Sequence, residues 1–222
     1  MLDQRGEKGE SVLRTYVGRG AGAFIENQFF AAPKTTFLLI CSPWISPKYA
    51  QHIIDLARRG IQVRIITGDS AQNKAALDLF NEFTKPPRDW LGRIPKDWTP
   101  PPIDILKVKE HSIHAKIYAM EGYAVVGSAN LTENGLWQWA EHIVIFEGEE
   151  AEQIVNDFST LYHLHKQRAE EEVVEEIKGI TEKLSGVFKK IRFSLKTTCP
   201  HCGARIQRGS KFCPKCGAKL EG

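Results

Sequence analysis

Apolar and polar residues are arranged along the first half of the chain in short segments that follow one another in a regular order. Residues 35–41 and 61–67 are rich in Ile, Leu, Val and Phe, which is typical of buried strands. Between them, residues 47–58 have helical periodicity before Gly60, and residues 71–84 predict a second helix. This order predicts an α/β domain in which helices cover a mixed or parallel sheet.

Residues 114–141 read as a hairpin followed by a helix that begins near Leu131. Residues 115–120 alternate with a period of two, Glu121 and Gly122 form a turn, and residues 123–126 return as a second strand. Side chains alternate between the faces of a strand, so His114 and Lys116 point the same way. Ser128 and Asn130 follow the second strand. We therefore expect these four polar side chains at one end of the sheet.

The same segment combines five functional groups that can attack a phosphodiester and hold its charge without a metal. They are an imidazole, an ammonium, a hydroxyl, a carboxamide and a carboxylate, supplied by His114, Lys116, Ser128, Asn130 and Glu141. Taken alone, the first pair is equally well explained as a strand-end histidine beside a surface lysine. The complete ordered set favours a catalytic site.

This ordered set resembles the HKD motif of the phospholipase D superfamily, and the resemblance extends over about residues 21–168. It implies a phospholipase D-like mixed β-sheet sandwiched by helices. The family has an aspartate seven positions after the histidine, where this chain has Glu121. In the family that acid is mainly a structural partner, so the replacement affects turn geometry more than chemistry.

The resemblance also implies a homodimer, because the family builds each site from two motifs and this chain carries one. His111 is followed by Ser and Ile and supplies no second copy. One His114 would form a phosphohistidine, while the other protonates the leaving oxygen and then activates water. Lys116 and Asn130 would bind the nonbridging oxygens, Ser128 would add a hydrogen bond, and Glu141 would orient the histidine ring. No metal is then required for catalysis.

The C-terminal segment contains two Cys-x-x-Cys-Gly knuckles separated by a short loop. Paired spacing of this kind suits a tetrahedral zinc site with four thiolate ligands, and so short a segment needs the metal to fold. It resembles a zinc ribbon with a structural zinc. His201 lies inside the first knuckle and is expected to be exposed rather than a ligand, and Cys41 is expected to be an inert core thiol. The predicted ligands are Cys199, Cys202, Cys213 and Cys216.

Residues 85–102 form a loop too rich in proline for a helix or a strand. Trp90 and Trp98 could stack on unpaired bases while Arg88 and Arg93 meet phosphates, which would make the loop a lid beside the site. Alternatively, both tryptophans fold onto the domain as a hydrophobic plug.

Farther along, apolar residues recur at alternating spacings of four and three, at Val173, Ile177, Ile180, Leu184, Val187 and Ile191. This heptad seam is compatible with dimerisation and equally with packing of a helix onto the parent domain. Upstream, a broader apolar stripe at residues 154–162 should cover the sheet.

Four regions follow from these patterns: a polar, loosely ordered segment (1–20), the catalytic domain (21–168), a helical linker (169–195) and the ribbon (196–222). The net charge is +3, with acids concentrated in residues 147–176 and bases from residue 178 onward. No signal segment and no apolar run long enough to span a bilayer are evident, so we expect a cytoplasmic protein without stable membrane insertion.

A single motif, a basic tail and a ribbon favour a nuclease that hydrolyses DNA or RNA. Phospholipid hydrolysis or phosphatidyl transfer is one alternative. The other is a catalytically weak module that binds nucleic acid.

Overall fold

The structure, a computed structural model, describes residues 14–31, 33–194, 196–207 and 209–220, with side chains omitted at residues 186–196. The described chain divides into two compact units, one ending at Lys166 and the other beginning at Gln167. The first contains a seven-stranded sheet and the second contains a two-stranded sheet.

The large sheet is mixed, as predicted. Its order is β1-β7-β6-β5-β2-β3-β4, with β2, β3 and β4 parallel and every other pairing antiparallel. The antiparallel β5–β6 pair is the hairpin predicted from the period-two pattern. The strands are β1 (Arg14–Val17), β2 (Phe37–Cys41), β3 (Gln62–Asp69), β4 (Ile103–Lys109), β5 (Ile117–Met120), β6 (Tyr123–Gly127) and β7 (His142–Glu147).

Helices cover both faces of this sheet and bury two apolar clusters. One face packs against α1, α2 and α3, with Ile40, Ile65 and Tyr118 at the sheet side of the core. On the other face Phe158 of α4 packs against the sheet. The α-helices are α1 (Arg19–Ile25), α2 (Pro47–Arg58), α3 (Lys74–Thr84) and α4 (Glu149–Ser194); π-helical turns occupy Glu26–Ala31 and Asn134–Gln138, and a 3-10 turn occupies Ala71–Asn73.

Helix α2 shows why the first half of the chain was predictable. Its first residue is Pro47, whose fixed φ and missing N–H suit a helix start. Beyond its end, Gly60 has φ +91°, a conformation that side-chain-bearing residues rarely adopt. The predicted and observed bounds of this helix coincide.

Two local predictions differ from the structure. The chain before residue 21 was expected to be loosely ordered, yet residues 14–17 form edge strand β1 on β7, and α1 begins at Arg19; residues 1–13 lie outside the described chain. The helix expected to begin near Leu131 is a π-helical turn that begins at Asn134, and Leu131 itself makes a parallel bridge to Ile45.

The second unit contains the last part of α4 and the ribbon strands β8 (Lys196–Thr198) and β9 (Arg205–Gln207). Cys199, Ile206 and Cys213 form its small buried cluster. In the described part of the heptad seam, four apolar side chains are exposed: Val173, Ile177, Ile180 and Leu184. The side chains of Val187 and Ile191 lie outside the described residues.

Candidate active site

The candidate site lies at the edge where the parallel strands end and β5 begins. Cys41, the last residue of β2, pairs with Ile117, the first residue of β5, so the segment that carries His114 and Lys116 leaves the sheet at this edge. His114 is exposed, whereas Lys116 is buried, with 3% of its surface accessible. One reactive ring therefore faces solvent directly above a buried cation.

Lys116 is held against His114 by two contacts. Its Nζ lies 3.2 Å from His114 Nδ1 and donates to the His114 carbonyl oxygen at 2.7 Å. An ammonium has no lone pair, so Nδ1 is the acceptor in this contact, and Nε2 is the ring nitrogen that the lysine leaves free.

Burial lowers the pKa of Lys116, and the charges of Glu141 and Cys41 oppose that shift. Cys41 is itself fully buried, as predicted, and burial raises the pKa of its thiol to about 12. Because the thiol stays neutral, Glu141 is the group that supplies negative charge toward the lysine.

Ser128 and Glu141 are brought together by the close approach of β6 and β7. The Ser128 hydroxyl donates to the Glu141 carboxylate and accepts from the His142 N–H at 3.1 Å. A Cβ at Gly127 would lie 2.2 Å from the His142 carbonyl oxygen, so only glycine permits this approach. In the protomer, Ser128 and Glu141 therefore bind each other, whereas the sequence suggested contacts to phosphate and to His114.

Asn130 is buried beneath the same edge, and its Oδ1 is a buried polar atom without a hydrogen-bond partner in the described chain. Its neighbours are fixed on both sides. Tyr118 donates to the Ala129 carbonyl at 2.7 Å, and the Leu131 N–H donates to Ser42 Oγ at 3.0 Å. An unpaired buried amide oxygen is costly, and a donor from substrate or from another chain would remove that cost.

Asn73, which the sequence analysis did not identify, anchors the turns beside the site. Its Oδ1 accepts from the Ile45 N–H at 2.8 Å, and its Nδ2 lies 2.6 Å from the carbonyls of Pro43 and Gly68 and 3.0 Å from Thr67 Oγ1. The side chain is buried. The signal in the sequence was weak, since a polar residue at a helix start normally reads as a cap.

Helix α1 clamps the segment between Asn130 and Glu141, a role that the sequence also did not reveal. The Gly18 N–H donates to the Glu141 carbonyl at 2.7 Å. A Cβ at Gly22 would lie 2.0 Å from the Leu136 carbonyl oxygen. Glu26, at the end of α1, accepts from Trp137 Nε1 at 3.0 Å. These contacts hold the π-helical turn and the following carboxylate in place.

Glu121 lies at the opposite edge of the sheet, in the β5–β6 turn. Its carboxylate accepts from the Thr36 hydroxyl at 2.5 Å and from the Thr36 N–H at 3.3 Å, just before β2 begins. The Glu121 N–H donates to Thr35 Oγ1 at 3.4 Å. The geometry gives this acid a structural environment, remote from His114.

The loop of residues 85–102 is anchored at the edge of the sheet opposite His114. It begins after α3 and ends at Pro102, whose carbonyl accepts from the Val63 N–H at 2.8 Å, at the amino end of the parallel strands. His114 follows the carboxyl end of β4, and a strand of this length places that end roughly 20 Å from Pro102. The reason is topological, since the helix between two parallel strands returns the chain to the far edge.

The loop is nevertheless ordered around one carboxylate. Asp89 Oδ1 accepts from two backbone N–H groups at 2.9 Å, and its Oδ2 accepts from Arg93 Nε at 2.8 Å. Arg88 donates to the Gly92 carbonyl at 2.7 Å. Trp90 is 89% exposed, which contradicts the plug alternative for this residue, while Trp98 is half-buried. Contact of these residues with substrate stays a prediction.

The four predicted metal ligands converge in the ribbon. Sγ of Cys199 lies 3.8 Å from Sγ of Cys216, and Sγ of Cys202 lies 3.6 Å from Sγ of Cys213. Tetrahedral zinc with Zn–S bonds of about 2.3 Å needs sulfurs about 3.8 Å apart, so the set fits zinc. All four sulfurs lie within 4.8 Å of one another, and His201 is exposed and outside the set.

The backbone geometry of each knuckle explains why a glycine follows its second cysteine. Gly203 and Gly217 have φ +67° and +71°, and each N–H donates at 2.9 Å to the carbonyl of the first cysteine of its knuckle. Backbone N–H groups of Cys216 and Lys215 donate to Cys213 and lower the pKa of its thiol. A lowered pKa favours the thiolate that zinc requires.

Comparison with known protein families agrees with this architecture. The fold and its edge site define a phospholipase D-like phosphodiesterase domain followed by a zinc ribbon. The family described as "Cardiolipin synthase, PLD-like domain" matches residues 30–162, which is more than half of the chain. The chain therefore belongs to this family of phospholipase D-like domains. The zinc-ribbon family matches residues 198–220.

Solved structures show similarity of fold at low identity. Nuc, a phospholipase D family member from Salmonella typhimurium, is 16% identical over 68% of this chain and 95% of its own, with a TM-score of 0.49. NucT from Helicobacter pylori is 16% identical over 70% and 96%, also at 0.49. Phosphatidylserine synthase from Haemophilus influenzae is 17% identical over 69% and 39%, at 0.44. No curated protein matches the sequence significantly.

No helix within residues 14–31, 33–194, 196–207 and 209–220 is both long enough and apolar enough to cross a membrane.

Proposed function

We propose that this protein is a metal-independent phosphodiesterase that hydrolyses DNA or RNA through a phosphohistidine, as a homodimer with a shared site. The observation that carries the proposal is the buried Lys116 ammonium, 3.2 Å from the exposed imidazole of His114. A buried cation beneath a solvent-facing nucleophile is suited to a substrate that brings its own negative charge.

In the first step the unprotonated Nε2 of His114 of one protomer attacks phosphorus, forming a P–N bond as the P–O bond to the leaving oxygen breaks. His114 of the partner subunit gives that oxygen its proton. In the second step the same imidazole takes a proton from water, whose oxygen attacks phosphorus and releases His114. Lys116 and Asn130 bind the nonbridging oxygens while their negative charge increases.

Two copies are needed because one imidazole cannot be nucleophile and proton donor in the same step. The described chain gives His114 no second histidine with a lysine two positions later. The buried Oδ1 of Asn130 has no hydrogen-bond donor among the described residues, which further supports a donor supplied by another chain; its Nδ2 is the group that would bind phosphate.

Nucleic acid is the proposed substrate because of the surface of the ribbon. Arg205, Lys211, Lys215 and Lys219 are exposed on this small unit, and Phe212 is exposed among them. Cations bind backbone phosphates and an exposed aromatic ring stacks on unpaired bases. The ribbon would thus hold the polymer whose phosphodiester is cut at His114.

The test is cleavage of labelled single- and double-stranded DNA and RNA in EDTA, by the wild-type protein and by His114→Ala. The matched control is His111→Asn, three residues away, because His111 is exposed and has φ +67°, which asparagine tolerates. We expect wild type and control to cleave and His114→Ala to be inactive. Zinc content is measured after the brief chelation to show that the ribbon is intact.

A second measurement addresses the intermediate. Rapid quenching at alkaline pH with a labelled phosphodiester should trap phosphorus on His114, and the label should be lost in acid. Absence of cleavage of all four polymers by a folded, dimeric protein would refute the nuclease proposal. Turnover of phosphatidyl substrates in the same conditions would instead support the phospholipid alternative.

A further inference from the structure

Helix α4 carries two different apolar patterns, of which the first is buried and the second is exposed. Near its start, the broad stripe that includes Ala151, Phe158 and Tyr162 is buried against the sheet. Farther along, the heptad seam forms a narrow line with spacings of four, three and four residues. Its described members are 51–57% exposed: Val173, Ile177, Ile180 and Leu184.

A narrow seam of two positions in seven fits another helix with the same repeat, whereas a sheet is covered by a broader stripe. Outside α4, the large apolar side chains that the described residues leave exposed lie on strands, turns and loops. No other helix within the described ranges presents an exposed apolar repeat. The helix that matches the seam in pitch and spacing is α4 of a second copy.

We propose that two copies of this chain pair through the α4 seam as a short parallel coiled coil. In heptad terms, Ile177 and Leu184 occupy a, and Val173 and Ile180 occupy d, so identical residues meet in each layer. Glu176, at g, then faces the partner subunit's Thr181, at e.

This arrangement produces no like-charge contact across the described seam. The other e position holds Val174, which is uncharged. One heptad earlier, the a position holds Glu170, and two buried carboxylates would repel each other there. The charges therefore mark Val173 as the point at which pairing begins.

The parallel direction rests on the proposed function, because a shared site requires the two catalytic domains to meet. In a parallel pair both chains enter the seam at the same end, at Val173, so the segments that lead to the catalytic domains begin side by side. In an antiparallel pair those two entry points would be separated by the length of the seam. From Val173 to Leu184 the seam is only about 17 Å long, so it acts together with the domain interface by raising the effective concentration.

The first test compares dimer dissociation constants by sedimentation equilibrium, using full-length zinc-loaded protein. Ile177→Asp with Leu184→Asp places two carboxylates in the seam. The control, Lys178→Asp with Ser185→Asp, places two carboxylates seven residues apart on the outer face of the same helix. We expect the seam variant to raise the dissociation constant about a hundredfold and the control to change it less than threefold. Equal constants for the two variants would overturn the proposal.

The second test determines direction. Ile180→Cys places two thiols in one layer of a parallel pair, where oxidised glutathione should join them as a disulfide. Lys178→Cys, on the outer face, is the control and should remain monomeric under denaturing conditions. Failure of Ile180→Cys to form the bond in a dimeric protein would refute the parallel pair.

These readouts do not depend on catalysis. A protein that cleaves no polymer but dissociates in the seam variant would refute the proposed function and retain the pairing. A protein that cleaves polymers, but whose dimer dissociation constant is the same in the seam variant and in the control, would retain the proposed function and refute the pairing.

Discussion

Replacing Asn73 by alanine tests whether one buried amide holds the turns that position the site. The substitution removes the acceptor for the Ile45 N–H and the donors that face the Pro43 and Gly68 carbonyls. Pro43 retains the Gly68 N–H at 3.1 Å, so the principal losses are at Ile45 and Gly68. A buried polar group left unpaired costs about 1–3 kcal/mol, which gives a loss of about 2–6 kcal/mol for two such groups.

The measurement is urea unfolding followed by tryptophan fluorescence, with the free energy of unfolding extrapolated to water. Asn81→Ala is the control, because Asn81 lies on the exposed side of α3, the helix that follows Asn73. This substitution should change stability by less than about 0.5 kcal/mol. If Asn73→Ala lost less than about 1 kcal/mol, the amide would not be the anchor that its hydrogen bonds indicate. A loss shared equally by both variants would point to the helix rather than to the turns.

Three further predictions follow from particular contacts. The negative charge of Glu141 raises the pKa of Lys116 against the lowering effect of burial, so Glu141→Gln should lower this pKa further. The alkaline limb of the pH–rate profile should then move to lower pH, and a shift to higher pH would contradict the prediction. Prolonged removal of zinc should abolish hydrogen-exchange protection of the Cys213 N–H, which donates to the Ala218 carbonyl at 2.9 Å, while β5 stays protected; retained protection at Cys213 would show a metal-independent ribbon. Gly179→Ala should stabilise α4 by about 1 kcal/mol, because alanine favours a helix and an added Cβ meets nothing within 4 Å. Thermal unfolding monitored at 222 nm measures this, and a lower melting temperature would show that the added Cβ is not accommodated.

The elements that could be predicted are those whose ends are marked in the chain itself. Pro47 and Gly60 delimit α2, and the turn at Gly122 delimits the β5–β6 hairpin. The same holds for the ribbon, where local spacing alone brings the four sulfurs together. Local sequence determines such features because the interactions that form them span few residues.

The features that could not be predicted depend on contacts between distant parts of the chain. Strand β1 has four exposed residues, so no apolar pattern distinguishes it, and it exists because β7 offers an open edge. The clamp of α1 on residues 134–141 depends on the missing side chain of Gly22, which no local pattern reveals. The π-helical turn after Leu131 similarly follows from tertiary packing.

The loop of residues 85–102 is a different case, because the positions of its two ends could be predicted. Parallel pairing of β3 with β4 requires the intervening helix to run back across the sheet. The loop therefore had to begin and end at the edge opposite His114. The proximity of the loop to His114 in sequence concealed a separation along the whole length of β4.

Glu121 has a consequence for how such enzymes are found. Its carboxylate fastens the β5–β6 turn to Thr36, while His114 stands seven residues earlier, roughly 20 Å away along an extended chain. The interval between the two residues therefore spans β5 and the residues that lead into it, and the acid marks where the strand must turn. A longer side chain serves the same purpose if a threonine is within reach. Searches that demand an aspartate at this position will discard chains that carry the same histidine and lysine before the strand.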